Sequence, residues 1–315
     1  MTVPRGPTEV GAPPRPHRPP PALLAYRAGS LVARALPAPL ATFTGRTAGF
    51  WLALGMTGRR QTVERHLQRL HGRTMGRFEL RREVHRTFDS YARYWLESFR
   101  LTGMDAAELD AGMTAEGICH LDAALAEGNG VIMALPHLGG WDFGGAWLAT
   151  QGYPITVVVE PLQPPELFEW FAEFRQALGL TVIPLGPDAG KLVLRALRRN
   201  EVVGLLCDRD IDGSGVAVEF FGECTTLPAG PVTLALRTGA ALLPTAVYFE
   251  GDRHRGVIHP RLPLERSGGL RHDVATGTQQ LADALQAMIA RAPEQWHVLQ
   301  PNWPSDDPGG ERSHR

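Results

Sequence analysis

Two hydrophobic rhythms divide the chain. Up to about residue 104, apolar side chains recur at helical spacing, first Val63, Leu67 and Leu70, then Tyr91, Tyr94, Trp95 and Phe99, with Arg on the opposing faces. After Gly117 come short runs rich in Val, Ile and Leu: Val131 to Leu135, Ile155 to Val159, Thr181 to Leu185, Val202 to Cys207 and Leu242 to Phe249. Helical patterning separates them, including a helix expected from Pro165 to Leu178. Strands alternating with helices predict an α/β fold, with a largely parallel central sheet flanked by helices and an active site beyond the carboxyl ends of the strands. The same pattern predicts a disordered Pro-rich leader over 1–22. A single domain comes next over 23–303, helical in its 23–104 portion, and then a flexible tail over 304–315.

Charge adds a direction to this plan. The net charge is −1, yet the first hundred residues carry 17 Arg against 6 Asp or Glu. Such a split points to a surface that meets something anionic, lipid headgroups or nucleic acid. No nucleic-acid-binding motif is recognisable, so no nucleic-acid partner is expected and a lipid surface is favoured. The first 22 residues lack the apolar core of a secretory signal. Arg27, Arg34, Pro37, Pro39 and Arg46 interrupt the apolar stretch from Leu23 to Met56, leaving no clean run of about 18 residues to span a bilayer. A peripheral protein on the cytoplasmic face of the inner membrane is the expectation. Cys119, Cys207 and Cys224 are odd in number and far apart, which argues against disulfides and zinc. No metal and no cofactor are expected.

The segment with the most chemistry is VIMALPHLGGWDFGG at 131–145. His137 stands at the carboxyl end of a buried strand, and Asp142 falls in the first turn of the following helix, with Gly139 and Gly140 permitting the turn between them. A carboxylate at that spacing can hold the Nδ1 proton, leaving Nε2 to take a proton from an alcohol. The other reading makes His137 a core or capping histidine and Asp142 an ordinary first-turn acid. GPDAGK at 186–191 is one residue short of a phosphate loop and is followed by Leu where Ser or Thr should hold magnesium. No GxSxG occurs, which disfavours a serine hydrolase.

Several blocks carry a wider resemblance: LPHLGGWDFGGAWLA at 135–149, FRQALGLTVIPL at 174–185, CDRD at 207–210, FFGECTTLPAGPVTLALRTGAALLP at 220–244 and WHVLQPNW at 296–303. With its H-x4-D motif the chain resembles the glycerol-phosphate and lipid A late acyltransferases, and more narrowly the actinobacterial phosphatidylinositol mannoside acyltransferases. The resemblance implies transfer of a palmitoyl group from acyl-CoA to the 6-hydroxyl of the mannose on inositol position 2 of a phosphatidylinositol mannoside. It implies His137 as general base with Asp142 as its orienting partner. Asp208 matches a carboxylate that approaches the catalytic histidine, where the mycobacterial members lead one to expect Glu. Glu160 and Arg175 match positions of the polar cleft, and Arg209 is a further anion contact. For the acyl groove, Phe220, Phe221, Trp147 and the surroundings of Leu101 are candidates. An acyl-carrier-protein donor with another glycolipid, or a non-catalytic membrane-binding protein, are the competing readings. Oligomeric state is not legible in the sequence.

Overall fold

The computed structural model describes residues 21–35 and 55–306. The residues before 21, the stretch 36–54 and those beyond 306 lie outside the described residues. They include most of the expected leader and tail and the middle of the expected membrane-associating portion. The helical rhythm becomes α1 (Pro21–Ala35), α2 (Thr57–Leu70) and α3 (Arg77–Leu101). Then α4 (Ala106–Ala111), opened by an Asp105/Glu108 capping box, leads into β1 (Met113–Glu116).

From there helices and strands alternate: α5 (Ile118–Ala126), β2 (Val131–Leu135), α6 (Trp141–Thr150), β3 (Ile155–Val159), α7 (Pro165–Ala177), β4 (Leu180–Pro184), α8 (Ala189–Arg198) and β5 (Val202–Leu206). A hairpin of β6 (Val216–Phe220) and β7 (Glu223–Leu227) comes next, then α9 (Gly230–Thr238), β8 (Ala241–Glu250), β9 (Arg253–Ile258) and α10 (Leu270–Ala290). Seven strands form one sheet in the order β1-β9-β8-β2-β5-β3-β4, parallel throughout except for the β8–β9 pair. This is the α/β architecture with a mostly parallel sheet flanked by helices that the alternation predicts. Strands β1, β6, β7 and β9 are additions to it.

Because successive side chains of a strand point to opposite faces, β2 feeds two cores. Ile132 and Ala134 pack with Val193, Leu236 and Leu281 of α8, α9 and α10, whereas Val131 and Met133 meet Leu121 of α5 and Leu148 of α6. A smaller cluster joins the amino-terminal helices to a late segment of the chain: Val63, Leu67, Val84 and Phe88 close around Leu299. Leu23 of α1 packs on Leu167 and Phe171 of α7. The last described residues correct the expected tail at its start. Pro304–Asp306 form a 3-10 turn, and Asp306 is 3% exposed, tied to His66 and Arg69 of α2. No helix among the described residues is long and apolar enough to cross a membrane.

Candidate active site

Strand register decides which carboxylate meets His137. In the parallel β2–β5 pair Leu135 lies opposite Leu206. Just beyond both carboxyl ends, at matching distances along the two chains, stand His137 and Asp208. The contact is close: His137 Nδ1 lies 2.6 Å from Asp208 Oδ1, and the His137 backbone N–H donates to Oδ2 at 2.7 Å. Trp296 Nε1 donates to the same Oδ2 at 2.7 Å. Asp208 has no exposed surface. Burial by itself raises a carboxyl pKa, but the charge of His137 and these hydrogen bonds outweigh it and hold Asp208 below its ordinary value. An ionised carboxylate only accepts, so the proton of this contact sits on Nδ1, and in the uncharged form of the ring the lone pair is on Nε2.

Asp142 does not reach His137, contrary to the pairing expected from the H-x4-D spacing. Its carboxylate is gripped on the other side, by Arg175 of α7 through Nε at 3.0 Å and Nη2 at 3.2 Å, and by the Tyr94 hydroxyl at 2.7 Å. The Gly-Gly turn explains the swing. Gly139 adopts φ +61°, its N–H donates to Gln295 O at 2.9 Å and that of Gly140 to Val247 O at 3.0 Å. A Cβ on Gly139 would collide with the Val247 carbonyl, and one on Gly140 with the His254 ring. The turn is thus pressed onto β8, and α6 starts with Asp142 facing α3 and α7. Burial works to lower the Arg175 pKa, but the charge of Asp142, together with Tyr94 and the hydrogen bonds to both, outweighs it and raises the value. Tyr94 is raised well above the phenolic range, by burial and then by the charge of Asp142.

A cavity of about 460 Å³ opens at this point, lined by His137, Asp142, Glu160, Arg175 and Arg209 among many apolar residues. Met133, Val157 and Gly204 line it on one sheet face, Ala189 and Val193 on the other. Glycines clear the space beneath α6: a Cβ on Gly144 would press on Val247, and one on Gly145 would come within 3.6 Å of Leu180. Of the groove candidates, Trp147 lines this cavity. Phe220 belongs instead to the packed core beside Trp303, with Phe221 against it, and Leu101 is sealed with Leu109 and Phe143. Arg209 faces Glu160 across the cavity, Nη1 to Oε2 3.6 Å, both partly open to solvent. Asp210 is committed to its own loop and to β7, accepting from Gly213 N, Gly215 N and Thr226 Oγ1.

Some residues of the site carry little mark in the sequence. Trp141 lies between Tyr94, stacked at 4.1 Å, and His137 at 5.6 Å. His297 donates its backbone N–H to His137 O at 2.8 Å, and its buried ring has its pKa lowered to about 3 by desolvation and then by the charge of His137. Trp296, His297 and Asn302 all fall in the WHVLQPNW block, where two Trp indoles and two amides set among apolar residues are the available signal for buried polar partners. Among the described residues no group of three or more His, Cys, Asp or Glu is arranged to hold a metal ion, and the three cysteines are unpaired.

A histidine oriented by a buried carboxylate, at the carboxyl end of a central strand and open to an apolar cavity, is what O-acyl transfer from a thioester calls for. The family profile of bacterial lipid A biosynthesis acyltransferases matches residues 21–305, and the chain belongs to that family of acyltransferases. It is similar to a phosphatidylinositol mannoside acyltransferase of Mycolicibacterium smegmatis, 39% identical over 287 residues, covering 90% of this chain and 91% of that protein. A Mycobacterium tuberculosis protein of the same description is 44% identical over 227 residues, 70% of each chain. A lipid A biosynthesis acyltransferase of Haemophilus influenzae is 27% identical over 186 residues, 57% of this chain and 55% of that one.

Proposed function

We propose that the enzyme moves a long-chain fatty acyl group, palmitoyl, from acyl-CoA to the 6-hydroxyl of the mannose on inositol position 2 of a phosphatidylinositol mannoside. The mycobacterial relatives support the acceptor class. The observation that carries the chemistry is the His137–Asp208 contact of 2.6 Å at the wall of an apolar cavity.

Nε2 of His137 takes the proton as the sugar oxygen attacks the thioester carbonyl. The tetrahedral intermediate then expels the thiolate of CoA, which receives that proton, and the ester is left on the sugar. Asp208 stabilises the imidazolium between these two steps, and no acyl-enzyme forms. Arg209 and Glu160 supply a pair that a headgroup phosphate and sugar hydroxyls can open, since an exposed pair at this distance contributes little. Arg175 keeps Asp142 and the first turn of α6 in place beside them. The test is transfer of labelled palmitate to purified phosphatidylinositol mannosides, with palmitoyl-CoA and palmitoyl-acyl carrier protein compared as donors. Transfer at equal rate to unrelated glycolipids, or from the carrier protein alone, refutes the assignment.

Chain-length preference rests on the glycine-cleared space beneath α6. The Cβ of Gly145→Leu has room, but the rest of its side chain enters the cavity. Each methylene kept out of an apolar site forfeits about 0.8 kcal/mol, so the preference for palmitoyl-CoA over decanoyl-CoA falls by roughly tenfold or more. Unchanged chain selectivity refutes this placement of the acyl chain.

The same proposal seats the enzyme on the anionic cytoplasmic face of the inner membrane. One face of α1 exposes Leu24, Leu31 and Val32 beside Arg27 and Arg34, the combination of an interfacial helix. Deleting residues 23–56 therefore lowers co-sedimentation with anionic liposomes several-fold. Unaltered co-sedimentation rules out this contact.

A further inference from the structure

Asp208 is fixed from behind as well as from the cavity. Asn302 Nδ2 donates to the Asp208 backbone carbonyl at 3.1 Å. Asn302 is itself immobilised through its own backbone, its N–H donating to Asp306 Oδ2 at 3.0 Å and its carbonyl accepting from Thr225 Oγ1. Asp306 is where the path leaves the sheet domain. It accepts from Trp303 N at 3.2 Å and from His66 Nε2 at 2.8 Å, and Arg69 Nη1 lies 3.4 Å from Oδ1. Arg65 adds a contact from Nη2 to the Asp306 carbonyl at 3.0 Å. His66 is buried, with its second ring nitrogen on Val298 O and its ring 5.3 Å from Trp296, the indole that donates to Asp208.

We propose that Asn302 and Asp306 are positioning residues of the active site, through which His66 and Arg69 of α2 hold the Asp208 backbone and Trp296 in the register that orients His137. The kinetic consequence rests on His137 being the base and Asp208 its partner, whereas the structural consequence does not. A carboxylate that must meet an imidazole nitrogen at 2.6 Å has little tolerance for drift of its own main chain. Asn302, Asp306, His66 and Arg69 are polar, held in or beside a packed interior, and each is tied to the next, so removing one loosens its neighbour rather than only itself.

Two readouts test this, one of them independent of activity. The indole N–H cross-peak of Trp296, assigned with Trp296→Phe in the full-length protein, shifts in Asn302→Ala and in Asp306→Asn. In the transfer assay both variants lose roughly tenfold in kcat with the donor KM held within about twofold, because alignment rather than binding is lost. In an Asp208→Asn background Asn302→Ala costs less than about twofold more, since the group it positions is already disabled. An unmoved cross-peak overturns the proposal. So does an equal kcat loss with Asp208 present or replaced, and so does an Asp306→Asn variant that melts earlier yet keeps its kcat well below its Tm. Equal transfer by wild type and His137→Ala would overturn the acyl-transfer mechanism, and the cross-peak would still decide the positioning.

Discussion

Replacing His137 with Ala lowers kcat for acyl transfer by about a hundred- to ten-thousand-fold, or about 3 to 5 kcal/mol of transition-state stabilisation, while the protein stays folded. Both halves of that expectation come from the geometry. The ring has its Nδ1 committed to Asp208, and the carboxylates nearest it in the cavity wall face arginines, Asp142 with Arg175 and Glu160 with Arg209, so neither stands in for it. The fold loses little, because the His137 side chain is 21% exposed and Asp208 keeps two of its donors, the residue-137 backbone N–H and the Trp296 indole. Under the proposed mechanism, thioester and acceptor binding draw on the apolar cavity and the Glu160–Arg209 pair, so both KM values change little. The check is a rate measurement paired with a thermal melt. A variant that retains more than a tenth of wild-type kcat removes His137 from the role of base.

Much of this architecture is legible in the sequence alone, and what is not legible has identifiable causes. Strands β2 and β3 are read at their full bounds because they are dense runs of branched apolar residues, β2 buried along nearly its whole length and β3 at its start. Strand β9 escapes because it begins Arg253-His254-Arg255 and holds its place only by pairing with its neighbours β8 and β1. The β6–β7 hairpin escapes because its turn is made by Phe221 at φ +51° and Gly222 at φ +75°, and a phenylalanine is not a turn signal of the Asn-Gly kind. The site divides in the same way. His137 is marked by its own surroundings, whereas its partnership with Asp208 depends on β5 lying next to β2, and strand order is not written in local periodicity. The family resemblance names both carboxylates, Asp142 as the orienting partner and Asp208 as a group that approaches the histidine. Spacing alone points to Asp142, which the structure turns toward Arg175.

That exchange of partners makes the two aspartates separable by experiment. Asp208→Asn costs catalysis and little stability. Oδ2 of Asp208 receives two N–H donors, from His137 N and Trp296 Nε1, so the amide oxygen of an Asn must take that side. The amide NH2 is then left facing Nδ1, which can meet it only as an acceptor, and the ring proton moves to Nε2. The imidazole is present but in the tautomer that cannot take a proton from the sugar, so kcat falls on the order of a thousandfold, close to the loss from removing the ring. Asp142→Ala does the reverse in proportion. It leaves a buried guanidinium and the Tyr94 hydroxyl without their shared partner, and breaking a buried pair in this way costs about 3 to 5 kcal/mol of stability. Its Tm drops sharply, and much of its activity loss comes from the displaced first turn of α6 rather than from the proton transfer. Asp142→Ala combined with Arg175→Met recovers part of the Tm, because no charge is then left buried alone. If instead Asp208→Asn retains near-normal kcat and Asp142→Asn abolishes it at unchanged Tm, the carboxylate that orients His137 during turnover is Asp142, and the resting arrangement must rearrange before the chemistry begins.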